Sequence, residues 1–133
     1  MVHRVADALN ARRKAVRGSR ILILGIAYKP NVDDERESPS YLLMSLLADR
    51  GAEVEYYDTY VPVIKPTREH PRWAGKKSIR WNRASVRSFD LVLIATNHSS
   101  VNYQELADWA DCVVDTRNAM ASIPPSKAAI WKA

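Results

Sequence analysis

The sequence predicts a three-layer α/β/α sandwich built around a mostly parallel sheet, and three observations carry that reading. Short apolar runs recur at Ile21 to Leu24, Leu91 to Ala95 and Cys112 to Val114, each suited in length and composition to a strand buried on both faces. Helical patterns lie between them. The first strand, helix and strand span about 37 residues, from Ile21 to Tyr57, which fits a right-handed crossover joining parallel neighbours.

Taken in order, the chain opens on a basic segment in which Val5, Ala8 and Leu9 have helical spacing. It begins abruptly at Met1, as a truncated chain would, and residues 1–19 are read as separate from the domain at 20–133. Ile21 to Leu24 is the first strand, β-branched at alternate positions, and Gly25 ends it. Ser38 then offers a side-chain acceptor to an orphan helix amide, and Pro39 occupies the first helical position, where a missing N–H costs nothing. The helix is expected over Tyr41 to Arg50, with Leu42, Leu43, Leu46 and Leu47 as its apolar stripe and Gly51 as its C-cap. Val54 to Tyr57 is the second strand, which makes the layout Rossmann-like.

Tyr60 to Trp81 reads as irregular, interrupted by Pro62, Pro66 and Pro71. Val86 to Phe89 closes a short helix before the third strand, Leu91 to Ala95. Tyr103 to Ala110 follows as a helix with Leu106, Trp109 and Ala110 inward, then Cys112 to Val114 as the fourth strand. Ala129 to Trp131 adds an edge strand.

Composition bounds the function. A chain of 133 residues, 47% hydrophobic and 26% charged, is one globular domain. No apolar run approaches the roughly 20 residues of a membrane span, and the basic N-terminus lacks the apolar core of a signal peptide, so a cytoplasmic protein without a membrane partner is expected. The single cysteine, Cys112, cannot form an internal disulfide, and at the start of an apolar strand it reads as a small buried hydrophobe. The net charge of +5 raises nucleic acid as a partner. Much of the excess is local, in Arg4, Arg12, Arg13, Lys14, Arg17 and Arg20 against Asp7 alone, and no zinc-ligand spacing, RNA-binding aromatic signature or basic heptad accompanies it. No nucleic-acid partner is expected.

Two histidines draw attention and neither founds a catalytic centre. His70, among Arg68, Glu69 and Arg72, lacks the further ligands a metal needs. His98 stands beside Ser99 and Ser100, but no Gly-x-Ser-x-Gly elbow is present. It either orders the loop near a bound nucleotide or is solvated.

The loop from Gly25 to Pro39 is the candidate site. It carries Lys29 and Arg36 among Asp33, Asp34 and Glu35, above the C-terminal edge of a strand, where open parallel sheets bind ligands. An Arg fork and a Lys point charge suit phosphate, although a solvated surface loop has the same composition. If the strands run parallel, Arg117 and Asn97 share the same edge, and loops distant in sequence converge there. A dinucleotide is a poor fit. The four glycines, at 18, 25, 51 and 75, form no Gly-x-Gly-x-x-Gly turn, and Asp58 at the end of the second strand reads as an acid that anchors a loop.

The segment Gly25-Ile26-Ala27-Tyr28-Lys29-Pro30-Asn31-Val32-Asp33-Asp34, continued by Arg36-Glu37-Ser38-Pro39, resembles the signature that opens the C-terminal, UDP-binding domain of the UDP-glucose/GDP-mannose dehydrogenase family. The likeness runs on through Val54 to Asp58, Asp90 to His98 and Val113 to Asn118. Thr59 departs from the Asp-Pro common there. These family enzymes oxidise the C6 alcohol of a nucleotide sugar to a carboxylate in two NAD-dependent steps, through a thiohemiacetal on a cysteine. The resemblance implies that Tyr28, Lys29, Asn31 and Asp33 line the UDP-sugar pocket, that Arg117 contacts the substrate, and that Arg36 reaches across a domain interface to NAD. It implies no catalytic residue and no metal here, since the catalytic cysteine and the NAD fingerprint belong to a preceding part of the parent. The first nineteen residues then correspond to the end of the helix linking its halves.

The expected partners are thus a UDP-sugar and the N-terminal NAD-binding and central helical regions of the same enzyme, homo-oligomeric when intact. This portion is expected to be inactive alone. The run from Tyr60 to His70 resembles the branch acting on UDP-N-acetylglucosamine or UDP-N-acetylmannosamine. The competing expectation is an independent nucleotide-binding or assembly module with no redox role.

Overall fold

The computed structural model describes residues 2–27, 30–31, 38–66 and 71–132. Five strands form one sheet: β1 (Arg20–Leu24), β2 (Glu53–Tyr57), β3 (Leu91–Ile94), β4 (Cys112–Asp115) and β5 (Ala129–Lys132). All four pairings are parallel, in the order β2-β1-β3-β4-β5. The expected α/β/α sandwich is therefore present, with an entirely parallel sheet, and the expected edge strand is β5.

Strand side chains alternate between faces, and each face has its own core. Ile21 and Ile23 of β1 join Leu91, Leu93, Cys112 and Val114 on one side, packed by helices α1 (Val2–Ala11) and α2 (Pro39–Asp49). Leu22 and Leu24 join Val92, Ile94 and Val113 on the other, packed by α3 (Arg83–Arg87) and α4 (Tyr103–Trp109). Val5, Ala8 and Leu9 of α1 are fully buried, so the first helix is part of the core.

Helix α2 starts as the sequence predicts. Ser38 has extended backbone and its side chain accepts from the Ser40 N–H at 3.2 Å, with Pro39 next. The apolar stripe is different. Tyr41, Met44 and Leu47 face the sheet, with Leu43 partly covered, whereas Leu42 and Leu46 are 55% and 42% exposed. The expected run of leucines fixes the period of the helix but not its rotation, which is set by burying the larger Tyr41 beside Met44.

Two further elements deviate locally. In α4 the inward residues are Leu106, Ala107 and, just past its end, Ala110. Trp109 lies half-covered against Trp81, with ring centroids 5.8 Å apart. Helix α3 ends at Arg87, and Phe89 beyond it is buried under the Arg20 guanidinium at 4.5 Å. The irregular stretch after β2 holds a 3-10 turn at Pro71–Trp73. Trp73 docks on α2 by donating its indole N–H to the Ser45 hydroxyl at 2.9 Å.

Candidate functional site

The crossovers that leave β1 and β3 run to opposite sides of the sheet, which makes the C-terminal ends of these two strands the switch point where open α/β sheets usually bind ligands, and here the two loops that follow them touch. Gly25 opens the first loop with φ +95°. From there every backbone polar group through Ala27 is paired. The N–H of Gly25 donates to the Tyr57 carbonyl at 2.9 Å, and those of Ile26 and Ala27 donate to Asp58 Oδ2 at 2.7 and 3.0 Å. The three carbonyls accept from Ser40 Oγ, Ser38 Oγ and Thr96 Oγ1 at 3.1, 2.5 and 2.7 Å. A buried loop entrance demands such complete satisfaction, and the Tyr57 carbonyl with side chains of three other segments supplies it.

Asp58 is the centre of this scaffold. Besides the two loop amides, Oδ2 faces His98 Nε2 at 2.8 Å, and Oδ1 accepts from the Tyr60 N–H at 2.8 Å. Burial pushes its carboxyl up, but the hydrogen bonds from His98 and from the Ala27, Ile26 and Tyr60 amides outweigh burial and hold it below the ordinary carboxylate value. The expectation of a loop-anchoring acid is met. Its engaged oxygens are not presented to a ribose.

His98 is 1% exposed, so it is not solvated, and its ring bonds the loop that carries Asn31. Its Nδ1 accepts the backbone N–H of Asn31 at 2.7 Å. Because Nδ1 is an acceptor, the ring proton sits on Nε2 and points at Asp58. Asn31 itself has φ +63°, a conformation asparagine tolerates, and its Oδ1 accepts from both the N–H and the hydroxyl of Ser99, at 2.8 and 2.9 Å. The Tyr60 ring lies 4.8 Å from the imidazole. Tyr103 donates its hydroxyl to the His98 carbonyl at 2.8 Å, and burial, with a contribution from Asp115, pushes that phenol up to about 12.

A cation of the rim comes from the turn after β4. The buried Asp115 accepts from the N–H groups of Arg117, Ala119 and Met120 at 3.0, 3.1 and 2.8 Å, and Thr116 donates to the Ile94 carbonyl at 2.6 Å. Thus braced, the exposed Arg117 donates Nε–H to the Ala95 carbonyl at 2.9 Å. It lines a cleft of about 420 Å³ with Asp115, Thr116, Asn118 and Lys132. A larger, mostly apolar cleft of about 550 Å³ lies along 60–66 and Gly75, and reaches the rim through Tyr60.

Of the residues expected to bind ligand, Asn31 and Arg117 are brought to the same edge, on either side of the β3 terminus. Tyr28, Lys29, Asp33 and Arg36 lie outside the described residues, as does His70. Asn97 is at that edge and half-buried. Lys132 and Thr96 were missed by sequence reasoning. The signal for Lys132 was its place one residue past the expected edge strand, and nothing in the residue types marked Thr96. Cys112 is fully buried, and burial, the leading influence, pushes its thiol up, which leaves it without a thiolate role. Among the described residues no group of three His, Cys, Asp or Glu side chains could hold a metal.

A dinucleotide does not fit the described residues. Such a site needs glycines that let a pyrophosphate approach the backbone. At Gly25, however, the space a Cβ would take is already filled by Thr96, whose carbonyl oxygen would stand 2.5 Å away. The glycine serves contact between two loops, and Asp58 is fully occupied by protein donors.

Comparison with known proteins agrees on one family. Residues 22–122 match the model of the UDP-glucose/GDP-mannose dehydrogenase family, UDP binding domain. The chain is 32% identical over 107 residues to UDP-glucose 6-dehydrogenase YwqF of Bacillus subtilis, covering 80% of this chain and 23% of that protein. A UDP-N-acetyl-D-mannosamine dehydrogenase of Methanocaldococcus jannaschii is 51% identical over 41 residues, 31% of this chain and 10% of that one. Among solved structures, UDP-D-ManNAc dehydrogenase from Pyrococcus horikoshii superposes with a TM-score of 0.75 at 24% identity, over 98% of this chain and 29% of the other. A UDP-glucose dehydrogenase from Pyrobaculum islandicum gives 0.65 at 28%, over 98% and 28%. The chain thus spans about a quarter of the length of the curated relatives and solved structures it matches along most of its length.

Proposed function

The chain belongs to the UDP-glucose/GDP-mannose dehydrogenase family, and from that premise we propose that it is the UDP-sugar-binding portion of a larger NAD-dependent 6-dehydrogenase, inactive by itself. The parent would oxidise the C6 alcohol of a UDP-sugar, a UDP-N-acetylhexosamine in the first instance, to the uronate. Residues 20–133 form the binding domain in this reading, and 1–19 the end of the segment leading into it, with helix α1 (Val2–Ala11) packed against the domain's sheet. The catalytic cysteine and the nicotinamide site would lie elsewhere in the parent, which is cytoplasmic and homo-oligomeric in this proposal.

The observation that carries it is the shared anchorage of two loops. The Ala27 carbonyl accepts from Thr96, and the Ala95 carbonyl accepts from Arg117, so successive residues of one strand end hold both the signature loop and the cation opposite it. A diphosphate seated between them would meet the Arg117 fork on one side. On the other would lie the loop bearing Tyr28, Lys29, Asn31 and Asp33, an aromatic face and a point charge among polar groups suited to nucleotide and sugar. Arg36, further along that loop, is proposed to reach NAD held by the other part of the enzyme.

Calorimetric titration of this chain with UDP-N-acetylglucosamine, UDP-glucose and GDP-mannose tests the proposal. Saturable binding of the uridine ligands, at least tenfold tighter than that of GDP-mannose, is expected. Absence of uridine-ligand binding at millimolar concentration, or equal affinity for the guanosine ligand, would overturn it.

A further inference from the structure

The cleft at the C-terminal ends of β4 and β5 is lined by Asp115, Thr116, Arg117, Asn118 and Lys132, and its hydrogen bonds leave it short of negative charge. Among the described residues Asp115 is its one carboxylate. That side chain is 2% exposed and accepts from the N–H groups of Arg117, Ala119 and Met120, so it is spent on its own turn. Lys132 stands opposite it in the strand register, yet the two form no ion pair. Other lysines do find an acid: Lys14 pairs with Asp90, Lys76 with Glu55 and Lys127 with Asp111. The exposed Lys132 has no such partner among the described residues.

Arg117 adds a second cation with donors to spare. Its Nε–H is bound to the Ala95 carbonyl, which orients the guanidinium and leaves the N–H groups of both terminal nitrogens at the exposed end. Thr116, bonded to the Ile94 carbonyl, fixes the turn behind it, and Asn118, exposed at φ +59°, brings a side-chain amide. Two like charges facing one cleft repel each other, and an anion seated between them reverses the sign of that interaction.

We infer that this cleft is a phosphate subsite in which Arg117 and Lys132 hold one phosphoryl group between them, which makes Lys132 a ligand-binding residue. Lys132 lies beyond residues 22–122, the part that matches the family model. Phosphate suits the donors better than carboxylate does. The planar fork and the point charge come from different elements, and a tetrahedral group presents separate oxygens to each, whereas a carboxylate has two oxygens in one plane. Two sources supply that chemistry, a free phosphate ion and the diphosphate of a nucleotide sugar. Assignment to the second rests on the proposed function, and the subsite itself does not.

Amide shifts of 15N-labelled protein, titrated with inorganic phosphate at low ionic strength held constant with chloride, test the subsite alone. Saturable shifts centred on Thr116, Arg117, Asn118 and Lys132 are expected, with acetate at least fivefold weaker. Lys132→Gln should weaken phosphate about fivefold, whereas Lys127→Gln, which removes a lysine already paired with Asp111, should leave it unchanged. Shifts that fail to saturate, or that are indifferent to Lys132→Gln, would mean an adventitious ion only and would overturn the subsite.

Repeating the titration with saturating UDP-glucose identifies the source. Loss of the phosphate response is expected, together with weaker binding of UDP-glucose, but not of uridine, by Lys132→Gln. Undiminished phosphate binding beside bound UDP-glucose would overturn the assignment to the diphosphate and make the subsite one for the free ion. If UDP-glucose does not bind at all, the functional reading fails and the phosphate titration still decides the subsite.

Discussion

A Cβ on Gly25 would stand 2.5 Å from the Thr96 carbonyl oxygen and 2.8 Å from its nitrogen, so the loops after β1 and β3 meet backbone against backbone. Neither atom is the yielding end of a flexible side chain. Gly25→Ala therefore has to part the two loops as well as hold alanine at φ +95°. A loss of at least about 2 kcal/mol is expected, a fall in Tm of roughly 6–10 °C. Gly18 provides the control. Its φ is +84° but nothing lies within 4 Å of the added carbon, and Gly18→Ala should cost only about 1 kcal/mol. Equal melting shifts for the two variants would contradict the close approach.

Arg117 braces the rim with one nitrogen and leaves the rest of its guanidinium at an exposed cleft. Arg117→Ala is expected to weaken UDP-sugar binding about tenfold or more, from loss of charge-assisted hydrogen bonds, with a stability cost near 1 kcal/mol for the Ala95 contact. Arg117→Lys should recover the charge and not the fork, and so only part of the affinity. Lys132→Ala should cost a few-fold and do so mainly at low salt, because an exposed charge is screened. Calorimetry at two ionic strengths separates the three.

Acid should destabilise the fold through Asp58. Its carboxyl titrates below the ordinary value in the folded chain, so the unfolded chain takes up the proton more readily. The stabilisation is complete above the ordinary carboxylate value of about 3.9 and disappears as pH falls through the lower folded value. Asp90 adds to the same window. Burial raises it, but hydrogen bonds from Lys14 and the Arg20 amide, together with the charges of these two residues, leave it lowered. Urea unfolding between pH 5 and 2 should show a midpoint that declines mainly below about 3.9. Asp58→Asn should flatten part of that slope while costing about 3 kcal/mol at neutral pH, since an amide cannot accept from every donor gathered there.

Cys112 should be inert in the folded chain. The thiol is buried and pushed up from its usual value, so Ellman's reagent at neutral pH is expected to label it only as fast as the chain unfolds. Prompt labelling would mean that β4 is more accessible than its packing indicates.

Much of the architecture was legible because its signals are local. Ile21 to Leu24 between a polar segment and Gly25, and Ser38-Pro39 before a helix, each announce one element from adjacent residues, and the strand–helix–strand spacing then implies parallel pairing. The rotation of α2 was not legible. Leu42 and Leu46 have the same period as the buried Leu47, and only the completed sheet reveals which side Tyr41 and Met44 must face. The site was readable in part for a similar reason. Arg117 follows from its position after a strand, whereas the Asp58–His98–Asn31 chain joins residues 40 and 67 apart, and no local pattern marks such a partnership.

Those same separations govern when the rim comes into being. Thr96 reaches Ala27 across 69 residues and His98 reaches Asn31 across 67, and closing such spans is what slows the folding of nonlocal topologies. A ligand bridging these turns would find its seat only after the central strands are in register. It would then act as a brake on unfolding without hastening assembly, adding about 2.7 kcal/mol at a hundred times its dissociation constant.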